Sequence, residues 1–129
     1  MERDFEAAVP ELGPFEQQVM LAILMLGDGT YGAPVYDKVG EIAGKRINQG
    51  AFYTTLDRME GKGLLSSKAT DPKKEPRGRP RYLLSLTPLG KKALERSVEN
   101  ANRLADLFSE HARKRDRAAA PGKLARKPV

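Results

Sequence analysis

The stretch Asn48–Leu65, NQGAFYTTLDRMEGKGLL, decides how the rest of the chain is read. Asn48 has the short polar side chain that caps a helix by accepting a first-turn amide. Beyond it Phe52, Leu56 and Met59 recur at i, i+4 and i+7 and predict one inward face. Gly50, Thr54, Asp57, Arg58 and Gly61 fall on the opposite face, with Tyr53 on the flank. A helix this short, apolar on one side and lined with mixed donors and acceptors on the other, can be held by a small core while its polar side enters a groove.

Upstream, GPFEQQVMLAILML (Gly13–Leu26) places Phe15, Val19, Ala22, Ile23 and Leu26 at helical spacing, with Pro14 suited to the first turn. Met20 and Leu24 widen the stripe, so this helix is expected to be mostly buried. The Gly27–Gly29 run GDG ends it. Thr30 is the expected N-cap of a second helix, YGAPVYDKVGEIAG, with Val35, Val39 and Ile42 on one face and Gly44 as a left-handed C-cap.

Downstream of Gly63 the period shortens. LLSSKA (Leu64–Ala69) and RYLLSL (Arg81–Leu86) read as two strands, the second alternating Tyr82, Leu84 and Leu86 against Arg81, Leu83 and Ser85. Between them TDPKKEPRGRP carries three prolines that no central ladder tolerates, which makes it a long basic hairpin loop. Its PRGRP segment (Pro76–Pro80) has the composition of a minor-groove hook, but flanking strands fasten it at both ends. Lys73, Lys74, Arg77 and Arg79 are its candidate contacts to phosphate or minor groove.

Thr87-Pro88 starts a further helix, threonine as cap and proline at the first helical position. From there Leu94, Val98, Ala101, Ala105, Phe108 and Ala112 step by four, three, four, three and four, a heptad seam that Leu104 and Leu107 broaden. A helix over 88–112 is roughly 37 Å long at ~1.5 Å per residue, more than a small domain needs to cover its own core. The surplus face is read as a homodimer contact through Leu94, Val98, Ala101, Ala105 and Phe108.

The chain has 129 residues, which fits one domain, and no cysteine, which excludes disulfides and thiolate chemistry. Its net charge of +6 is unevenly distributed: residues 1–37 carry one basic and seven acidic groups, whereas residues 38–92 carry thirteen basic and five acidic. Residues 113–129 carry seven basic and one acidic. Positive charge concentrated in the middle and the tail points to a polyanion. The longest apolar run, Val19–Leu26, is too short to span a bilayer, so a soluble cytoplasmic protein is expected.

Three short helices, a two-stranded hairpin with a basic loop and a long last helix give the order of a winged helix-turn-helix. The fold class expected is mainly α with a small β-hairpin, plus a long C-terminal dimerisation helix. The expected organisation is an N-terminal arm over 1–11, a winged-helix domain over 12–87, the dimerisation helix over 88–112 and a disordered basic tail over 113–129. On the recognition helix Gln49, Gly50, Tyr53, Thr54 and Arg58 are the candidate contacts, and double-stranded DNA is the expected partner.

At this point the residues resemble those of the PadR-like transcriptional regulators, from about Leu12 to Leu94. The resemblance rests on LAIL in the first helix, TYGAPVYDKV in the second, NQGAFYTTLDRMEGKGLL in the third and GRPRYLLSLTPLGKKAL after the wing. It implies a dimeric repressor whose two recognition helices enter successive major grooves of a palindromic operator. The chain departs from that pattern where Asn48-Gln49 replace serine-proline and Thr54 replaces proline, so an operator is not transferable from relatives. It has no tryptophan, whereas aromatic residues often line the family's dimer cavity. A small-molecule effector is therefore left open.

Enzymatic readings find little purchase. His111 is the single histidine, and GEIAGKR (Gly40–Arg46) lacks both the spacing and the Ser or Thr of a phosphate loop. No catalytic residue, cofactor or metal site is assigned. The remaining alternative is a winged-helix module whose third helix binds a protein instead of DNA.

Overall fold

The computed structural model describes residues 9–118. Helix α1 (Pro14–Leu26) is followed by strand β1 (Thr30–Tyr31), α2 (Gly32–Ala43), α3 (Gln49–Gly61), β2 (Leu65–Ala69), β3 (Tyr82–Leu86) and α4 (Pro88–Ala118). The strands form one antiparallel sheet in the order β1-β3-β2, with Leu65 opposite Leu86 and Ala69 opposite Tyr82. The chain divides into two compact units between Ser97 and Val98.

The core of the first unit grows from the apolar stripes of its helices. Val19, Met20 and Ile23 of α1, Val35 and Val39 of α2, and Phe52 and Met59 of α3 are fully buried. Tyr36 crosses to Phe52 edge-on, 5.3 Å between ring centroids, and its hydroxyl donates to the Ile47 carbonyl. Val9 joins this core, so the packed region begins ahead of the expected boundary at residue 12; residues 1–8 lie outside the described residues.

Two features differ from the sequence expectation for the first half. Helix α1 buries one stripe only: Leu24 and Met25 are more than half exposed, with Leu21 and Leu26 partly so. A run of apolar residues cannot by its own period tell a one-sided helix from an enclosed one. Thr30 is not a helix cap. It lies in β1 opposite Leu84, and Tyr31 takes the N-cap position of α2 without a side-chain hydrogen bond.

The GDG turn is what brings β1 to the sheet. Gly29 donates its amide to the Leu84 carbonyl at 2.9 Å, and Asp28 Oδ1 accepts the Leu86 amide at 3.3 Å. A two-residue strand shows no alternation, which is why the pattern reading finds only a hairpin.

The link from the sheet to α4 is closely packed. Thr87 Oγ1 donates to the Gly63 carbonyl at 2.6 Å and accepts the Gly90 amide at 2.9 Å, the expected cap with an added long-range bond. Gly90 lies so close to the Leu64 carbonyl that a Cβ there would stand 1.9 Å from the oxygen and 2.9 Å from Met20 Cε. Only glycine fits. This crossing seats Ala93 and Leu94 in the core.

From Val98 the second unit is the remainder of α4, which runs to Ala118 rather than ending at 112. The basic segment expected to be disordered from 113 is thus helical through 118, and residues 119–129 lie outside the described residues.

Candidate nucleic-acid interface

Helix α3 begins as its sequence predicts. Asn48 Oδ1 accepts the Ala51 amide at 2.8 Å, and Phe52, Thr55, Leu56 and Met59 turn inward. Gln49, Gly50, Tyr53, Thr54 and Arg58 are all exposed. Tyr53 is held at its base by an edge-on contact with Phe52, 4.9 Å between centroids, and its hydroxyl lies over Gly32 at the start of α2.

Arg58 is exposed but not loose. Its Nε lies 3.9 Å from Oε2 of Glu16 on α1, and its Nη2 lies 3.5 Å from the Thr55 hydroxyl. Lys62, just past the end of α3, donates to the same Glu16 oxygen at 3.1 Å. Glu16 Oε1 in turn accepts the Gly13 amide at 2.9 Å, so one nearly buried carboxylate joins the start of α1 to the end of α3. Burial opposes its charged form. The Gly13 amide, the Lys62 hydrogen bond and the fields of Lys62 and Arg58 outweigh that penalty and hold its carboxyl below the ordinary value.

Sequence reading overlooked Glu16 and Lys62. Glu16 stands three residues after Gly13, the spacing of a capping carboxylate, which is the one local signal available. Its partners at the end of α3 lie more than forty positions away, and no local pattern foretells them. The carboxylate beside Arg58 is Glu16 of α1.

The wing is organised at its base and open at its tip. Thr70 and Arg81 face each other across it: the Thr70 amide donates to the Arg81 carbonyl at 2.7 Å, and the Arg81 amide to Thr70 Oγ1 at 2.8 Å. Arg81 Nε donates to Glu75 at 2.9 Å, and its guanidinium lies 4.1 Å from the centre of the Tyr31 ring. Arg81 is therefore a structural cation. Asp71 Oδ1 accepts the Lys73 amide at 3.0 Å and sets the first of two short 3-10 turns, Pro72–Lys74 and Pro76–Gly78.

The four other wing cations behave differently. Lys73, Lys74, Arg77 and Arg79 are exposed, and none forms an ion pair among the described residues. Arg77 adopts φ 64°, a left-handed conformation, and Gly78 follows at φ 67°. For a non-glycine residue that backbone costs about 1 kcal/mol, and it turns the tip sharply within two residues.

On α4 the expected seam divides. Leu94 is 7% exposed and belongs to the chain's own core, so its assignment to a subunit contact is corrected. The first turns of the helix are needed at home, and the heptad pattern cannot show where that duty ends. Val98, Ala101, Ala105 and Phe108 are exposed, Phe108 to 73%, as are Leu104 and Leu107.

Among the described residues no group of three or more His, Asp or Glu side chains is placed to hold a metal ion, and no helix is long and apolar enough to cross a membrane.

Comparison with known proteins bears on this arrangement. Residues 20–96 match the family described as transcriptional regulator PadR-like. A PadR family transcription regulator from Clostridium difficile R20291 shares the fold at TM-score 0.58 and 24% identity, over 74% of this chain and 97% of that one. A PadR-like transcription factor from Bacteroides fragilis does so at 0.58 and 20%, over 72% and 86%. The transcriptional repressor CouR, solved bound to a 23-mer DNA duplex, is 25% identical at TM-score 0.54, over 81% of this chain and 68% of that one. An uncharacterized 37.1 kDa protein in transposon TN4556 of Streptomyces fradiae is 32% identical over 94 residues. Those residues are 72% of this chain but only 25% of that protein, so the chain spans about a quarter of its length.

Proposed function

This chain belongs to the PadR-like family of transcriptional regulators, and we propose that it acts as a homodimeric repressor that binds a palindromic double-stranded operator in the cytoplasm. The observation that carries the reading is the exposed, N-capped α3 in the same compact unit as four wing cations without ion pairs among the described residues. Carboxylate-free cations have their full charge available for phosphate, and each contact releases condensed counterions. Gln49, Gly50, Tyr53 and Thr54 occupy the first turns of α3, which enter the major groove and read base edges, while Arg58 reads further along from a position set by Glu16. CouR, bound to a DNA duplex, supports carrying the binding mode to this chain.

Two subunits give two recognition helices, and the exposed apolar positions of α4 are the surface that pairs them, Val98, Ala101, Ala105 and Phe108 at heptad spacing. The chain's action is binding and not catalysis. Selection of bound fragments from random DNA tests the proposal directly. A recovered palindrome with half-sites about one helical turn apart establishes operator and symmetry together. Failure to retain any DNA, at low salt as well as high, overturns the reading and leaves a winged-helix module that binds protein.

A further inference from the structure

A groove of about 650 Å³ opens between one side of α3, the sheet and the start of α2. That volume falls within the roughly 300–1,000 Å³ span of sites for small organic ligands. Leu56 of α3 and Leu65 and Leu84 of the sheet form part of its apolar lining, and Tyr31, Tyr53 and Tyr82 stand around it. Tyr31 already carries the Arg81 guanidinium, whereas Tyr53, in edge contact with Phe52, and Tyr82 carry no cation, and both are substantially exposed.

The charge in this lining is lopsided. Arg81 is neutralised by Glu75, 2.9 Å away, whereas Asp57 has no hydrogen bond or ion pair among the described residues. Glu60, the other carboxylate of the lining, accepts a single hydrogen bond from Ser67 at 2.9 Å. Two carboxylates and two exposed tyrosine rings that carry no cation, around an apolar groove, repel anions and attract a cation with greasy substituents, through the ring faces as well as the carboxylates.

From these observations we infer that the groove is a binding site for a lipophilic organic cation, a quaternary or aromatic one of small-molecule size. Selectivity comes from Asp57 and affinity from the Tyr53 and Tyr82 rings and the leucines below them. Its consequence for regulation rests on the DNA-binding reading: Tyr53 and Asp57 sit on α3, so an occupant that engages the Tyr53 ring withdraws it from DNA and lowers DNA affinity.

Tetraphenylphosphonium and tetraphenylborate test the site, because they share shape and apolarity and differ in the sign of charge. With the full chain and no DNA, isothermal titration is expected to give saturable binding of the phosphonium and at least about tenfold weaker binding of the borate. The chain's net charge of +6 would by itself favour the borate, so this order is specific to the groove. Asp57→Asn, at an exposed position where folding is not at stake, is expected to weaken the phosphonium about tenfold, and Tyr82→Ala several-fold. Equal binding of both ions, no phosphonium binding, or binding indifferent to Asp57→Asn overturns the proposal. In a DNA titration the phosphonium should weaken the wild type and spare Asp57→Asn. Binding by calorimetry with no such effect overturns the coupling alone, and loss of DNA binding without ligand bears only on the reading above.

Discussion

The outer end of α3 and the wing carry similar cationic chemistry under opposite constraint. Arg58 and Lys62 converge on the Glu16 carboxylate, which is itself held by the Gly13 amide, so their positions are tied to α1. Lys73, Lys74, Arg77 and Arg79 have no such partner among the described residues, and the base beneath them is fastened instead through Arg81, Glu75 and Thr70. A cation beside a carboxylate suits discrimination between bases, because its reach is narrower than that of an unpaired side chain. An unpaired cation on an exposed tip suits phosphate, which is identical at every step. Composition counts both sets alike; only their partners tell them apart.

The most severe way to break the comparison is to remove the second copy of each region. Val98→Glu with Ala105→Glu should give monomers by light scattering and lower operator affinity by about a thousandfold or more, since each subunit then binds one half-site alone. An unchanged dimer mass would remove the role given to α4.

Separating the regions is the next largest effect. With about four phosphate contacts per subunit, the dimer is expected to show a slope of about −7 in log affinity against log salt. Arg77→Ala with Arg79→Ala should bring it to about −4 and weaken operator and unrelated DNA alike. Arg58→Ala should instead leave the slope almost unaltered and cut discrimination at one base position by about tenfold to a hundredfold. Similar effects of both variants on all sequences would erase the distinction.

Glu16 allows stability and the proposed base discrimination to be tested in one variant. Its folded carboxyl is held below the ordinary value, so its stabilisation is fully present above the unfolded value and is lost as pH falls through the folded one. Glu16→Gln should therefore lower thermal stability at pH 7, by about 1 kcal/mol given that Arg58 and Lys62 are well exposed, and have little effect near pH 2. The same variant frees Arg58 and should reduce base discrimination without changing the salt slope. The finest test is Arg77→Asn, which tolerates the left-handed backbone and removes only the charge; a slope smaller by about 2 for the dimer is expected, with unfolding unchanged.

Much of the scaffold under these tests is readable without coordinates. The inward positions Phe52, Leu56 and Met59, the caps at Asn48 and Thr87 and the strands on either side of PRGRP follow from local rules, and they hold. Strand β1 does not, because two residues carry no period and its place depends on Gly29 reaching Leu84. Nor does the division of labour among arginines: Arg77, Arg79 and Arg81 are neighbours in one basic run, yet Glu75 and Tyr31 take Arg81 out of it.

What the chain determines by itself is therefore whatever depends on neighbours within a few positions: which face of each helix is apolar, where helices start, where a hairpin must open into a loop. Tertiary structure alone decided that Leu94 serves the core, that Glu16 lies beside Arg58, and that Asp57 lines a groove without an ion-pair partner among the described residues. The physical reason is range. Periodicity and capping act over one or two turns, whereas a buried carboxylate or a shared cavity is defined by groups that folding brings together from distant parts of the chain.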